Sequence, residues 1–372
     1  MARAAEAFGD PMRPHASGRR ARDLLEDSRQ SIASVIGAQA DELVFTSGGT
    51  ESVALGLRGV ARAAGKPGGR IVVSAVEHPC VLGSATWLEA DGFHVVRVPV
   101  DDHGRLDLDV FLAEVRKPGT IMASVQHSNH EVGTLQPVAE AARFAREAGV
   151  WFHTDACQSV GRLPMDVLNL GVDLLTLSGH KFGGPAGIGA LYVRRGVPLA
   201  GYPYGDDRER HRRAGMENLP GAVGMATALE AALEELGDQA AAQWALTTHI
   251  RNTLAEQVAS CSVHGHPTQR APHLVCFSVE GVDPEVLLMA LDDRGFRVGG
   301  GGVASGIAHA PSPVLEAMGI PHAFSFRIGV GRLTTEEDAD RFLAELPALV
   351  GELHRMEEAA SDTLDRIRGN DS

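Results

Sequence analysis

An α/β protein is the fold this sequence predicts, with a mostly parallel sheet in a larger first part and a smaller α/β domain after it. Three observations lead there. Short apolar runs bounded by turn residues alternate with helical stretches through about the first 200 residues, the pattern of a parallel sheet with crossover helices. Several runs end in polar residues, as the carboxyl ends of parallel strands do where an open sheet binds a ligand. Beyond Gln239 the texture changes to a long polar helix and a second, shorter set of apolar runs.

The elements follow in order. A helix is expected over Gly18–Gly37, then a short strand, ELVFT (Glu42–Thr46), ending in a Gly-Gly turn, and a helix over Glu51–Ala64. RIVVSAVEH (Arg70–His78), IMASVQH (Ile121–His127), VWFHTDA (Val150–Ala156) and DLLTLS (Asp173–Ser178) read as buried strands, with GALYVRR (Gly189–Arg195) antiparallel to them. Further helices fit Pro137–Ala148 and Pro220–Leu236. The division is expected near 238, giving a large domain of residues 1–238 and a small one of 239–372. The small domain holds HLVCFSV, PEVLLMALDDRG, a glycine cluster, FRIGVG and a final helix from Thr335, where TTEED offers a Thr cap and first-turn carboxylates.

Composition narrows the function. With 44% hydrophobic and 22% charged residues over 372 positions, the chain is an ordinary globular sequence and not a disordered one. No stretch approaches the ~20 apolar residues of a membrane span. MARAAEAFGDP lacks a signal-peptide core, so a cytoplasmic protein is expected. The net charge of −14 disfavours a sequence-independent nucleic-acid binder. Cys80, Cys157, Cys261 and Cys276 are widely spaced, with no CxxC pair, so neither a metal site nor a disulfide framework is expected.

SGHKFGGPAGIG (Ser178–Gly189) is the most informative segment. A lysine just past a strand end, beside Ser178 and His180, suits a Schiff base to an aldehyde cofactor, although Lys181 read alone fits a surface loop lysine better. TSGGTES (Thr46–Ser52) opens a helix, and backbone N–H groups at Gly49 and Thr50 suit a phosphate. Asp155, in HTDACQ, suits a protonated pyridine nitrogen or a plain helix cap. His78, in VEHPCVL, suits ring stacking or a structural role, and QHSNHEVGTLQP puts Asn129 and His130 at another strand end. The convergence of these strand ends on one ligand is the argument, more than any one of them.

Taken in order, the segments resemble the pyridoxal-phosphate (PLP) enzymes of the class V aminotransferase group, and most closely the cysteine desulfurases. The resemblance runs from FGDP (Phe8–Pro11) through TSGGTES, EHPCVL, NHEVGTLQP, TDACQSVGRLP, SGHKFGGPAGIGALYVR, RRAGMEN and PSPVLEAMG to FRIGVGRLTTEED. It implies a fold type I transferase with a seven-stranded sheet. It further implies Lys181 as the cofactor-bearing lysine, Asp155 at the ring nitrogen, Gln158 at the ring oxygen and His78 stacked on the ring. Gly49, Thr50, Ser178 and His180 match the phosphate cradle, and Asn129 and Arg327 the positions that hold the substrate carboxylate. A homodimer, L-cysteine as substrate and a sulfur-acceptor protein come with the family.

The sequence departs from the family pattern in four places. Counting back from Pro311-Ser312 puts Ala304 where a desulfurase loop carries its cysteine, and none of the four cysteines lies in that loop. Gly299–Gly302 is a run of glycines, read either as a tight bend or as part of a loop that moves over substrate. Family members begin with a YLDNAATTP-like strand, which is expected to be missing here, since Met1 stands seven residues before Phe8. An RSGT-like segment, whose Thr reaches the neighbouring subunit's phosphate, reads Arg213-Ala214-Gly215-Met216. The basic cluster Arg208, Arg210, His211, Arg212, Arg213 suits an acidic partner or is balanced by Asp206, Asp207 and Glu209. The expected function is therefore a PLP-dependent cysteine desulfurase homologue supplying sulfur to an iron–sulfur, thiolation or related pathway, with Ala304 blocking the last step. The alternatives are a PLP-dependent C–S or C–Se lyase that needs no loop cysteine, and a non-catalytic sulfur-transfer scaffold.

Overall fold

Apolar runs of four or five residues, buried along nearly their whole length, become the strands of a seven-stranded sheet in a computed structural model of the chain. It describes all residues except 2–4, 8, 66–67, 259, 301–310, 321–323 and 370–372. Ala304 and Phe8 therefore lie outside the described residues, as do Gly301 and Gly302. The chain divides into two units. The first comprises Met1–Asp101, Arg105–His130 and Leu135–Gly237, and the second Asp102–Gly104, Glu131–Thr134 and Asp238–Ser372.

The first unit begins with α1 (Ala16–Val35), β1 (Leu43–Thr46), α2 (Gly49–Ala64), β2 (Arg70–Ser74), α3 (Pro79–Ala90) and β3 (His94–Val98). It continues with α4 (Leu108–Val115), β4 (Thr120–Ser124), α5 (Val138–Glu147), β5 (Trp151–Asp155), the single turn α6 (Val167–Leu170), β6 (Leu174–Ser178), β7 (Gly189–Val193) and α7 (Leu219–Glu234). The strand order is β1-β7-β6-β5-β4-β2-β3. Strands β2 to β6 pair in parallel, and β7 is antiparallel to both β6 and β1, as its sequence led us to expect. Leu175, Leu177 and Tyr192 pack into one core on one face, and Leu174, Leu191 and Val193 into another on the opposite face, which is why these strands read as unbroken apolar runs.

The strands are shorter than their apolar runs. RIVVSAVEH leaves the sheet after Ser74, yet Val76 and Glu77 stay buried. Register fixes the sheet's carboxyl edge. Thr46 and Ser178 both pair with Gly189, so the ends of β1 and β6 lie in one row on either side of β7. Gly189 must be glycine, because a Cβ there would stand 2.7 Å from the Gly48 backbone.

The basic cluster is neutralised within this unit. Arg208 pairs with Asp10 and Glu217 at 2.6 Å each and with Asp206 at 3.1 Å. Arg213 meets Glu51 at 2.8 Å, Arg210 meets Glu26 at 3.7 Å, and Arg212 donates to the Asp41 carbonyl. These arginines brace a loop, which favours the balanced reading over a nucleic-acid patch.

The second unit contains α8 (Leu236–Gln257, which starts at the junction), β8 (Cys261–His264), β9 (Leu274–Val279), α9 (Pro284–Asp293), β10 (Gly299–Gly300), α10 (Pro313–Ala317), β11 (Phe326–Gly329) and α11 (Glu336–Gly369). Its four-stranded antiparallel sheet runs β10-β11-β9-β8, with Phe277 stacked on Phe326 in the core. The Thr335 cap expected for the last helix is present, with Asp338 N–H donating to its Oγ1 and Asp338 accepting the Thr335 N–H in return. Two short insertions join this unit through hydrogen bonds: Thr134 Oγ1 to the His103 carbonyl, and Ala271 N–H to the Gly133 carbonyl. Gly299 and Gly300 are neither bend nor loop. They form an edge strand against Arg327 and Phe326, where a Cβ on Gly300 would stand 2.7 Å from the Phe324 ring. Among the described residues no helix is long and apolar enough to cross a membrane.

Candidate functional site

The carboxyl ends of β1, β2, β4, β5 and β6 bring most of the expected residues to one edge of the first unit's sheet. Asp155 is the last residue of β5 and is buried. Its Oδ1 accepts the Cys157 N–H at 3.0 Å. His78 caps α3, its Nδ1 accepting the Cys80 N–H at 3.2 Å and lying 2.9 Å from the Cys80 thiol. Side-chain atoms of His78, Cys80 and Asp155 all lie within 4.8 Å of one another. The His130 ring meets the His78 ring edge-on, with centroids 4.9 Å apart.

Ser178 ends β6, and its Oγ lies 3.1 Å from His180 Nδ1. Lys181 follows in a short 3-10 turn whose carbonyl accepts two hydrogen bonds from Arg162, at 2.7 and 3.2 Å. The turn closes at Gly183 with φ 87°, a conformation that favours glycine. Burial, then the neighbouring Lys181 charge, lowers His180 below the usual imidazole range. Gly49 opens α2, and a Cβ there would stand 2.7 Å from the Cys157 sulfur. The N–H groups of this sixteen-residue helix are thereby left uncovered by side chain at its first position. Thr50, beside it, is exposed, and Gln158 follows Cys157 in a half-buried turn. Asn129 is fully buried, and its Nδ2 donates to the Val76 carbonyl at 3.0 Å. Arg327 belongs to the second unit, on β11 between Cys276 and Gly299.

Several supporting residues had not been singled out. His153 bridges three strands, with Nδ1 2.8 Å from Ser124 Oγ and Nε2 3.0 Å from Thr176 Oγ1. Burial lowers it to about 4, so it is a neutral brace two residues before Asp155. His127, also lowered to about 4 by burial, bonds Ser159 Oγ, and its N–H donates to the Asp155 carbonyl. A sequence shows these as unremarkable histidines inside apolar runs, and only their cross-strand partners give them a role. Cys80 and Cys157 both border the site, Cys80 beside His78 and Cys157 beside Asp155 and Gly49. Burial first, then the Asp155 charge, pushes both thiols up, so neither is a thiolate at neutral pH.

A family model for aminotransferase class-V matches residues 9–342. The chain belongs to that family. The cysteine desulfurase IscS of Methanosarcina thermophila is 38% identical over 354 residues, covering 94% of this chain and 87% of that protein. A solved NifS-like protein superposes with a TM-score of 0.86 at 31% identity, over 94% of this chain and 93% of its own. SspA, solved in complex with cysteine, superposes with a TM-score of 0.76 at 29% identity, over 88% of this chain and 92% of its own.

Class-V desulfurases are enzymes that use pyridoxal 5′-phosphate. The residues present fit that group. An amine at Lys181 matches its aldehyde, and a buried carboxylate at Asp155 matches a pyridinium. The open start of α2, with no room for a Cβ at Gly49, matches a phosphate approached by backbone N–H groups.

Proposed function

We propose that this class-V protein binds PLP at the sheet edge of its first unit, takes L-cysteine as substrate and activates it for loss of sulfur. The observation that supports this best is the meeting of Lys181, Asp155, His78 and the Gly49 opening along one edge of one sheet, in a chain whose relatives are cysteine desulfurases. PLP, when bound, supplies an aldehyde for amino groups and a ring that draws electrons from the substrate α-carbon.

This chain's residues do the rest. Lys181 Nζ would be the amine that holds the cofactor and the group that would move the substrate α-proton. Asp155 keeps the ring nitrogen protonated, and Gln158 donates to the ring oxygen. His78 covers one ring face. Gly49, Thr50, Ser178 and His180 hold the phosphate. Asn129 and Arg327 would take the substrate carboxylate, a guanidinium being suited to grip a carboxylate with two hydrogen bonds. By sequence position Ala304 replaces the loop cysteine of a desulfurase, so the proposed chemistry stops before sulfur abstraction. Exposed Met12, Tyr202, Tyr204 and Met216 on the first unit supply apolar surface for a second copy, in keeping with a homodimer, and a sulfur-accepting protein completes the proposal.

The test is a titration of L-cysteine into the PLP-loaded chain, followed by its visible absorption. Saturable change is expected, and Arg327→Ala should weaken it roughly 10- to 150-fold, the worth of a charge-assisted pair of about 1.5–3 kcal/mol. An unchanged affinity in that variant removes Arg327 from the site, and no spectral response in the parent removes cysteine as the ligand.

A further inference from the structure

Under the turn that carries His78 lies a carboxyl group that the proposed chemistry does not use. Glu77 is 1% exposed. Its Oε1 accepts the Gln126 N–H at 2.6 Å, and its Oε2 is buried with no donor in reach. A carboxylate in that position would leave a bare charged oxygen in the protein interior, which is far more costly than a neutral acid. The surroundings act the same way. Burial first, then the Asp155 charge, pushes Glu77 well above the usual carboxylate range, against a smaller opposing pull from the Gln126 N–H. The titratable groups beside it are Asp155 from the end of β5 and Cys80 from the first turn of α3.

The backbone around Glu77 forms a clasp. The Val76 carbonyl accepts both the Gln126 side-chain amide and, at 3.0 Å, the Asn129 side-chain amide. With the Gln126 N–H on Glu77, three hydrogen bonds join the turn after β2 to the turn after β4. The first turn carries His78 and the second carries Asn129.

We propose that Glu77 is a positioning residue of this site: a buried carboxylic acid that clasps the turn carrying His78 to the turn carrying Asn129. The acid state is a property of the chain alone. The positioning role rests on the function proposed above.

Two variants separate these. Glu77→Gln keeps the shape and the acceptor for Gln126 without any charge, and Glu77→Ala removes the acceptor. The first arm is urea unfolding of the full chain without added cofactor, parent against Glu77→Gln, from pH 5 to pH 8. A raised carboxyl group keeps its proton in the folded chain and releases it on unfolding once the pH passes the ordinary glutamate value near 4.5. The folded state then binds more protons than the unfolded one, so stability falls as pH rises. The unfolding constant of the parent should grow relative to Glu77→Gln by about tenfold per pH unit, until the pKa of Glu77 in the folded chain is reached. A ratio independent of pH would mean that Glu77 is ionised when folded, and the proposal fails.

The second arm is PLP binding, followed by visible absorption. Glu77→Gln should bind within about threefold of the parent and Glu77→Ala at least about tenfold more weakly, the usual effect of losing a buried hydrogen bond. Equal binding by parent and Glu77→Ala overturns the positioning role. Failure of the parent to take up PLP overturns the reading of the site, while the first arm still decides the state of Glu77.

Discussion

Replacing Ala304 by cysteine is expected to convert a chain that takes up L-cysteine without releasing sulfur into one that makes alanine. Sulfur abstraction requires a thiolate free to approach the substrate sulfur. The protein's own cysteines do not offer one. Burial, then the Asp155 charge, pushes Cys80 up, and burial pushes Cys157 and Cys276 well up. Cys261, on β8 of the second unit, is pushed up to about 12 by burial. Removing a covalent nucleophile can cost on the order of 10⁴ to 10⁶ in kcat, so even a poorly placed thiol should raise alanine production at least about 100-fold over the parent. The assay is alanine and sulfide release from L-cysteine with a thiol reductant, and adding Lys181→Ala to the variant should abolish both. A PLP-loaded Ala304→Cys chain as inert as the parent would contradict the desulfurase reading and favour a lyase. Persulfide and alanine from the parent itself would contradict the role assigned to Ala304.

Glu209→Ala is expected to destabilise the chain by about 3–5 kcal/mol, the range for breaking a buried ion pair from one side. Glu209 and Arg29 are 1% and 2% exposed and meet through two bonds of 2.7 Å. The carboxylate also accepts the Phe45 N–H, and Arg29 donates to the Leu43 carbonyl, so the pair anchors β1. Burial alone would lower Arg29, and the Glu209 contacts outweigh it. Glu209, Arg210 and His211 all have positive φ, from 49° to 63°, and side chains other than glycine persist there only when their surroundings hold them. Removing the anchor frees the turn and leaves the buried Arg29 guanidinium with the half-exposed Glu26 carboxylate, at 3.2 Å, as its one acidic partner among the described residues. Urea unfolding at neutral pH measures the loss, and a change below about 1 kcal/mol would show that the pair is dispensable. The double variant Arg29→Met with Glu209→Leu should recover much of it, because apolar replacement of both partners removes the buried charge.

What the sequence makes legible follows from how each residue is stabilised. The buried parallel strands stand out because both faces are apolar, and their polar ends point to the site. β3 does not stand out, because at the sheet edge His94 and Arg97 are exposed between buried valines. Strand ends are overextended because Val76 and Glu77 are buried without being in the sheet. Glu77 itself looks like any surface acid until its burial and bare oxygen are seen. The pairing of the arginine cluster is hidden for the same reason, since Asp10, Glu26 and Glu51 are far away in the chain. Within the second unit, Ser312 and Ser325 both donate to Glu131, a link between distant segments that no local pattern announces.

Lys181 decides the central claim. The chain has only three lysines, Lys66, Lys117 and Lys181, so the residue that holds PLP can be identified without ambiguity. Lys117 is engaged with Glu114 at 2.6 Å on the exposed end of α4. Borohydride reduction of the PLP-loaded protein, followed by peptide mass spectrometry, fixes the cofactor to whichever lysine carries it. One reduced pyridoxyl adduct is expected, on the peptide containing Lys181, lost in Lys181→Ala. An adduct on Lys66 or Lys117 with none on Lys181, or no adduct at all, would contradict it.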